Sequence, residues 1–325
     1  MKNKFLKWIG LSIVSILMPL CISCNGTKSG DKMDIITTIF PEYDWVNNIL
    51  GDKKDTANVT MLLDSGVDLH SYQPSPKDIV SISQCDLFVY VGGESDKWVD
   101  DVLKQATNKN MVTINLMDVL GDKKKEEELI EGMQGEEEEE EEGEEEIEYD
   151  EHVWLSIKNA QIFVKAIADS LSTLDKGNTN YYQSNADTYI ANLKDLDNKY
   201  EEAVKSGSQK TLLFADRFPF RYLVEDYSLK YYAAFIGCSA ETEASFETIA
   251  FLVSKVDELG LKVILKIESS DGAIADTVKN ATQSKNQSIL TMDSIQSATT
   301  KEYQEGRNYF SIMEKNLDVL KEAVK

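Results

Sequence analysis

Short apolar, β-branched runs alternate with stretches of helical spacing along most of this chain. The runs at 34–40, 58–63, 87–92 and 111–116 read as strands bounded by Gly, Asp and Asn. Between them, 42–50, 75–84 and 94–107 carry apolar positions at helical spacing. The second of these opens with Ser75-Pro76, an N-cap followed by a first-turn proline. Strand and helix in alternation predict parallel pairing, with helices on the sheet faces.

A helix over 156–174 follows, with Ile157, Ala160, Phe163, Val164 and Ile167 on one face. The stretch from Asn180 to Ser206 is a second helix, striped by Tyr182, Ala186, Tyr189, Leu193, Leu196, Tyr200 and Ala203. Its roughly 27 residues at about 1.5 Å each span some 40 Å, enough to cross two lobes. The strand-helix pattern then restarts. Strands are expected at 211–216, 230–237, 262–268 and 288–293, and helices at 218–227, 243–259, 272–284 and 302–324. The predicted fold is α/β, with two lobes, each a four-stranded mainly parallel sheet flanked by helices, joined by one long rigid helix. The boundaries are 34–178 for the first lobe, 179–207 for the linking helix and 208–325 for the second lobe. The halves share an order of elements but no sequence repeat.

The first residues change the picture, because they read as an address. Lys2, Lys4 and Lys7 precede an apolar stretch at 8–20. That stretch is shorter than the roughly 20 residues of a membrane span and suits the core of a secretory signal. It ends in Cys21-Ile22-Ser23-Cys24, followed by a polar tether over 24–33. A small Ser directly before Cys24 resembles the bacterial lipobox, which implies cleavage after residue 23 and a lipid anchor on Cys24. A diacylated cysteine supplies the two chains that stable anchoring needs. The chain is thus expected outside the cytoplasm, tethered to the cell membrane. Of the remaining cysteines, Cys85 and Cys238 fall in different predicted lobes, so no disulfide is expected between them. The chemistry is then expected from other residue types.

Net charge is −23, yet it is concentrated: residues 126–151 hold sixteen Glu and one Asp with no Lys or Arg. A like-charged block repels itself, so an acidic disordered loop is expected over 122–150. Outside it the chain is only mildly acidic, which argues against nucleic acid as a partner.

Only two histidines occur, and both stand in loops at strand-to-helix positions beside carboxylates. His70 lies in Asp68-Leu69-His70-Ser71-Tyr72, and His152 in Asp150-Glu151-His152-Val153-Trp154. A carboxylate near a histidine can fix its tautomer as a metal ligand. Asp216 and Asp293 close two predicted strands of the second lobe, and open α/β sheets bind ligands beyond the carboxyl ends of their strands. His70, His152, Asp216 and Asp293 together make a site for Zn²⁺, Mn²⁺ or Fe²⁺. Each Asp could equally be a helix N-cap.

From Ile35 to the C-terminus the chain resembles the metal-binding solute-binding lipoproteins of zinc and manganese ABC importers. Gly66-Val67-Asp68-Leu69-His70-Ser71-Tyr72 is similar to that family's first histidine motif. Glu151-His152-Val153-Trp154-Leu155-Ser156 is similar to the second, with a charged low-complexity segment directly before it. Asp293-Ser294-Ile295 resembles the segment supplying the last carboxylate. The resemblance implies a monomer that captures Zn²⁺ or Mn²⁺ as cargo, not as a catalytic cofactor, and delivers it to a membrane permease.

One position departs from the pattern. The resemblance places a His or Glu donor where this chain has Arg217, one residue after Asp216. Arg keeps its proton and has no lone pair to give. Either Asp216 moves in as the ligand, with Arg217 paired to a carboxylate, or this lobe contributes only Asp293; Asp216 is the expected ligand, and Glu241, Glu243 and Glu268 are the substitutes. More carboxylate favours Mn²⁺, while the Irving–Williams order favours Zn²⁺ at a shared site, so both ions stay open. The other readings are a binder of another solute, such as an iron chelate, and a metallohydrolase. The sequence has no His-Glu-x-x-His, Gly-x-Ser-x-Gly or phosphate-loop motif, so no enzyme is expected.

Overall fold

A computed structural model describes residues 32–135, 148–239 and 243–325. The expected signal, the lipid attachment at Cys24 and most of the tether lie outside the described residues. So do the densest part of the acidic run and Glu241.

In the first lobe, strands β1 (Met33–Thr37), β2 (Ala57–Met61), β3 (Leu87–Tyr90) and β4 (Val112–Asn115) alternate with helices α1 (Phe40–Leu50), α2 (Pro76–Gln84) and α3 (Trp98–Lys104). Short α4 (Leu116–Leu120) and long α5 (Ile157–Leu174) complete it. Helix α6 (Thr179–Ser206) follows. The second lobe runs β5 (Thr211–Phe218), α7 (Arg221–Asp226), β6 (Lys230–Ile236), α8 (Phe246–Leu259), β7 (Val263–Lys266), α9 (Ala273–Ala281), β8 (Ser288–Thr291), α10 (Thr300–Gln304) and α11 (Tyr309–Ala323). Both sheets are wholly parallel, and their orders correspond: β2-β1-β3-β4 and β6-β5-β7-β8.

Local chemistry sets these boundaries. Ser75 accepts from the Asp78 amide and Asp78 answers the Ser75 amide, a reciprocal cap that starts α2 at Pro76. Ser156 caps α5 through the Asn159 amide, and Ser245 caps α8 through that of Thr248. The expected first strand is shortened to Thr37, because the Glu42 carboxylate collects the amides of Thr38 and Ile39 and begins α1 early. The single C-terminal helix expected over 302–324 is two, α10 and α11. Gly306 turns left-handed between them at φ 99° and Asn308 caps the second.

Helix α6, at about 1.5 Å per residue, runs some 42 Å. Its apolar stripe is buried along its length from Tyr182 to Val204. It packs on α1 and α5 of the first lobe and on α11 of the second. Trp154, fully buried, ties the lobes at their centre: its indole N–H donates to Ser294 O at 2.9 Å, and its carbonyl accepts from Tyr309 Oη at 2.7 Å. Burying so large an apolar side chain contributes on the order of 3 kcal/mol, and both polar ends are satisfied. No described helix is long and apolar enough to cross a membrane.

The acidic segment differs from expectation at its edges. Residues 122–135 and 148–150 are ordered, and only 136–147 lie outside the described residues. Glu126 bridges Tyr149 in antiparallel fashion, Gln134 joins Phe235 beside β6, and Tyr222 Oη accepts from the Lys125 amide. These flanks escape the charge-repulsion argument because backbone hydrogen bonds and Met133, Ile130 and Tyr149 anchor them on the core.

Candidate metal centre

The first lobe supplies His70 from the loop after β2. The Asp68 carboxylate accepts the His70 amide at 3.0 Å and sets a single 3-10 turn, so the imidazole faces the second lobe. His152 enters from the segment before α5, its amide and Nδ1 both on Asp150 Oδ1, at 2.8 and 3.1 Å. His152 is completely buried, whereas His70 keeps a partly exposed edge.

The two rings meet through their Nε2 atoms, 3.2 Å apart. Each Nδ1 is claimed from behind. Asp150 holds that of His152, while Ser95 Oγ at 2.8 Å and Glu151 Oε2 at 3.4 Å flank that of His70. Gly93, at φ 81°, permits this approach, since a Cβ there would lie 2.3 Å from Glu151 Oε1. A carboxylate facing Nδ1 favours a proton on that nitrogen and leaves the Nε2 lone pair pointing outward. Both Nε2 lone pairs therefore point at one spot, an arrangement that calls for a cation.

Burial works against charge on His152, but the charge and hydrogen bond of Asp150, with the charges of Asp68 and Glu127, together raise this histidine above its usual range. Burial, and then the His152 charge, push His70 below its own.

Among the described residues, the third side chain at this spot that could hold a metal ion is Cys238, whose Sγ lies within 4.8 Å of a ring nitrogen of each histidine. It follows β6, the strand of the second sheet that corresponds to β2, so two matching loops bring His70 and Cys238 together. The Cys238 amide donates to Glu127 Oε1 at 3.3 Å. Burial and the Glu127 charge push the thiol well above its ordinary range in the absence of a cation. A cavity of about 260 Å³ opens on the cluster, lined by His70, Ser95, Glu127, Glu151 and Cys238 among others.

The structure places the two expected aspartates elsewhere. A β-bulge between Phe214 and Arg217 adds one residue to β5 and re-aims Asp216. Its carboxylate accepts the amides of Arg217 at 2.9 Å and Ile267 at 3.2 Å, inside the second lobe. Asp293 Oδ2 pairs with Arg307 at 2.6 Å, and its Oδ1 takes the Ile295 amide. Neither belongs to the close group of His70, His152 and Cys238. Glu268 is likewise engaged, on the amide and hydroxyl of Ser294, and Glu243 is exposed. Arg217 does pair with a carboxylate, that of Asp68, at 2.9 Å. Cys238 was discounted with the other thiols; its place at the end of a strand, as for His70, was the signal that could have found it.

Two wholly parallel lobes, bridged by one long helix and bearing a pair of converging imidazoles, have the architecture of a solute-binding protein. The family model for the zinc-uptake complex component A, periplasmic (ZnuA), matches residues 35–323, and the chain belongs to that family. It is 32% identical over 329 residues to the high-affinity zinc uptake system protein ZnuA of Bacillus subtilis, covering 98% of each chain. It is 33% identical to the zinc-binding lipoprotein AdcA of Streptococcus pneumoniae, over 98% of this chain but 61% of that longer protein. Among solved structures, the Zn(II)-bound ZnuA-like domain of that AdcA superposes with a TM-score of 0.70 at 31% identity, over 90% of this chain and 99% of the domain. The metal-dependent lipoprotein YcdH of Bacillus subtilis gives 0.72 at 29% identity, over 90% and 100%.

Proposed function

We propose that this chain captures a zinc ion outside the cytoplasm, between its two lobes, and hands it to the permease of an ABC importer. The observation that carries this reading is the 3.2 Å approach of His70 Nε2 to His152 Nε2, each ring braced from behind by a carboxylate. Two nitrogens bound at about 2.0–2.1 Å with tetrahedral geometry stand roughly 3.3 Å apart. The imidazoles thus already span one edge of a zinc tetrahedron. Membership of a zinc-uptake family supports the same ion and the same kind of partner.

His70 and His152 are the ligands of this reading, and Asp150 and Glu151 orient them. Asp216 and Asp293 act as organisers of the second lobe, by way of backbone amides and Arg307. Manganese is the lesser cargo here, because imidazole suits zinc better than it suits manganese. A lipid on Cys24 would keep the protein beside its permease.

Calorimetric zinc titration of His70→Ala and His152→Ala tests the proposal. Each variant is expected to lose on the order of ten-fold or more in affinity. Wild-type affinity in either one removes that histidine from the site.

A further inference from the structure

We propose that Cys238 is the third protein ligand of the captured ion, so that the cargo sits on two imidazoles and one thiolate. This deepens the zinc-capture reading and rests on it. His70, His152 and Cys238 offer three ligand atoms mutually within 4.8 Å, drawn from both lobes. Roughly 3.3 Å between nitrogens and slightly more from nitrogen to sulfur suit a tetrahedral zinc site.

The backbone is built to bring the thiol there. Gly237 lies flat on the His152 ring: a Cβ at that position would fall 3.0 Å from His152 Cε1 and 2.9 Å from Phe218 O. Any larger residue would push the turn, and Cys238 with it, away from the imidazoles. The Glu127 carboxylate then holds the Cys238 amide and fixes the turn from the opposite side. The two aspartates expected as donors are committed, Asp216 to two amides and Asp293 to Arg307.

Three protein donors leave a fourth position, and the cavity of about 260 Å³ opens on it. An open position suits an ion that must be passed on, since an incoming donor can attack without any protein ligand leaving first. As the sulfur–metal bond forms, the thiol proton leaves to solvent through that cavity. Two neutral imidazoles and one thiolate leave a single positive charge on Zn²⁺, which Asp150 and Glu151 face from behind the rings. A thiolate also sharpens selectivity, because soft sulfur favours zinc and disfavours manganese.

The test uses the full chain in detergent, with cobalt(II) as a spectroscopic stand-in for zinc. The expected result is a thiolate-to-cobalt charge-transfer band in the wild type that is absent from Cys238→Ser, together with at least a ten-fold weaker zinc affinity in that variant. Zinc should also slow alkylation of Cys238 in the wild-type chain, a readout independent of any variant's folding. Tight zinc binding without the band, or without protection of Cys238, overturns the thiolate ligand while leaving zinc capture by the histidines intact. Failure of the wild type to bind zinc tightly overturns both.

Discussion

Arg217 reaches from β5 of the second lobe to Asp68 in the first, its Nη2 2.9 Å from Asp68 Oδ2. The other Asp68 oxygen accepts the amide of His70. A charged strut thus runs from one lobe into the loop that aims the His70 imidazole. Arg217 stands where the family resemblance calls for a donor, and it pairs with the carboxylate that holds the His70 amide. Arg217→Ala is expected to weaken zinc binding several-fold, less than His70→Ala does. A double-mutant cycle with Asp68→Ala should give a coupling of roughly 1 kcal/mol. Strict additivity would mean that the pair holds nothing.

Asp216 separates ligand from scaffold. If its work is to accept the buried amides of Arg217 and Ile267, Asp216→Asn meets one of them with an N–H instead of an oxygen. Stability should then fall by about 1–3 kcal/mol while the folded protein keeps its zinc affinity within about two-fold. Denaturant melts paired with calorimetry read both quantities. A ten-fold affinity loss at unchanged stability would return Asp216 to the ligand set.

Asp44 provides a pH signature. It is fully buried, with Oδ2 accepting from Tyr189 Oη at 3.0 Å, and burial raises its carboxyl to about 7 against the opposing pull of that hydrogen bond. An unfolded Asp titrates near 3.9. Between those values the folded chain keeps a proton that the unfolded chain releases, so stability is lost as pH rises from about 4 to 7. Asp96, raised to about 7, and Asp226, raised to about 6, act with the same sign. Melting temperature from pH 5 to pH 8 should decline less in Asp44→Asn than in the wild type. An unchanged slope would show that Asp44 is ionised in the fold.

Replacing the glutamates of 136–146 with serine should leave the melting temperature nearly unchanged and reduce weak, secondary metal stoichiometry. A charge block buries no apolar area but concentrates cations near it. The ordered flanks sharpen the contrast: Tyr222→Phe, which strips the Lys125 amide and the Asp150 carbonyl of their partner, should cost about 1 kcal/mol. A large fall in melting temperature on neutralising 136–146 would contradict the first expectation.

The alternation of periods was enough to read both lobes, the parallel pairing and the long helix within a residue of its ends, since each rests on local burial patterns. Ser75-Pro76 marked its helix for the same reason. The helix over 302–324 was misread because periodicity continues across Gly306, and only its positive φ interrupts the turn. The flanks of the acidic run were misread because charge density is a property of the segment, while its order comes from partners such as Tyr222 and Phe235, distant in sequence.

By itself the sequence determined that two lobes would form, and it marked His70 and His152, each with a carboxylate close by in the chain, as the candidates for the chemistry of the cleft. Histidine motifs are local: Asp150 braces the His152 ring and Asp68 holds the His70 amide from two residues away, while the brace on the His70 ring, Glu151, comes from far along the chain. Which second-lobe side chain lies beside the two imidazoles was decided by tertiary structure. One extra residue in β5 turned Asp216 inward to the Ile267 amide, and Arg307 drew off Asp293. The glycine before Cys238 let its turn settle on the His152 ring. A one-residue bulge leaves no periodic trace, and a contact from 152 to 237 is fixed by how two sheets dock rather than by any spacing along the chain.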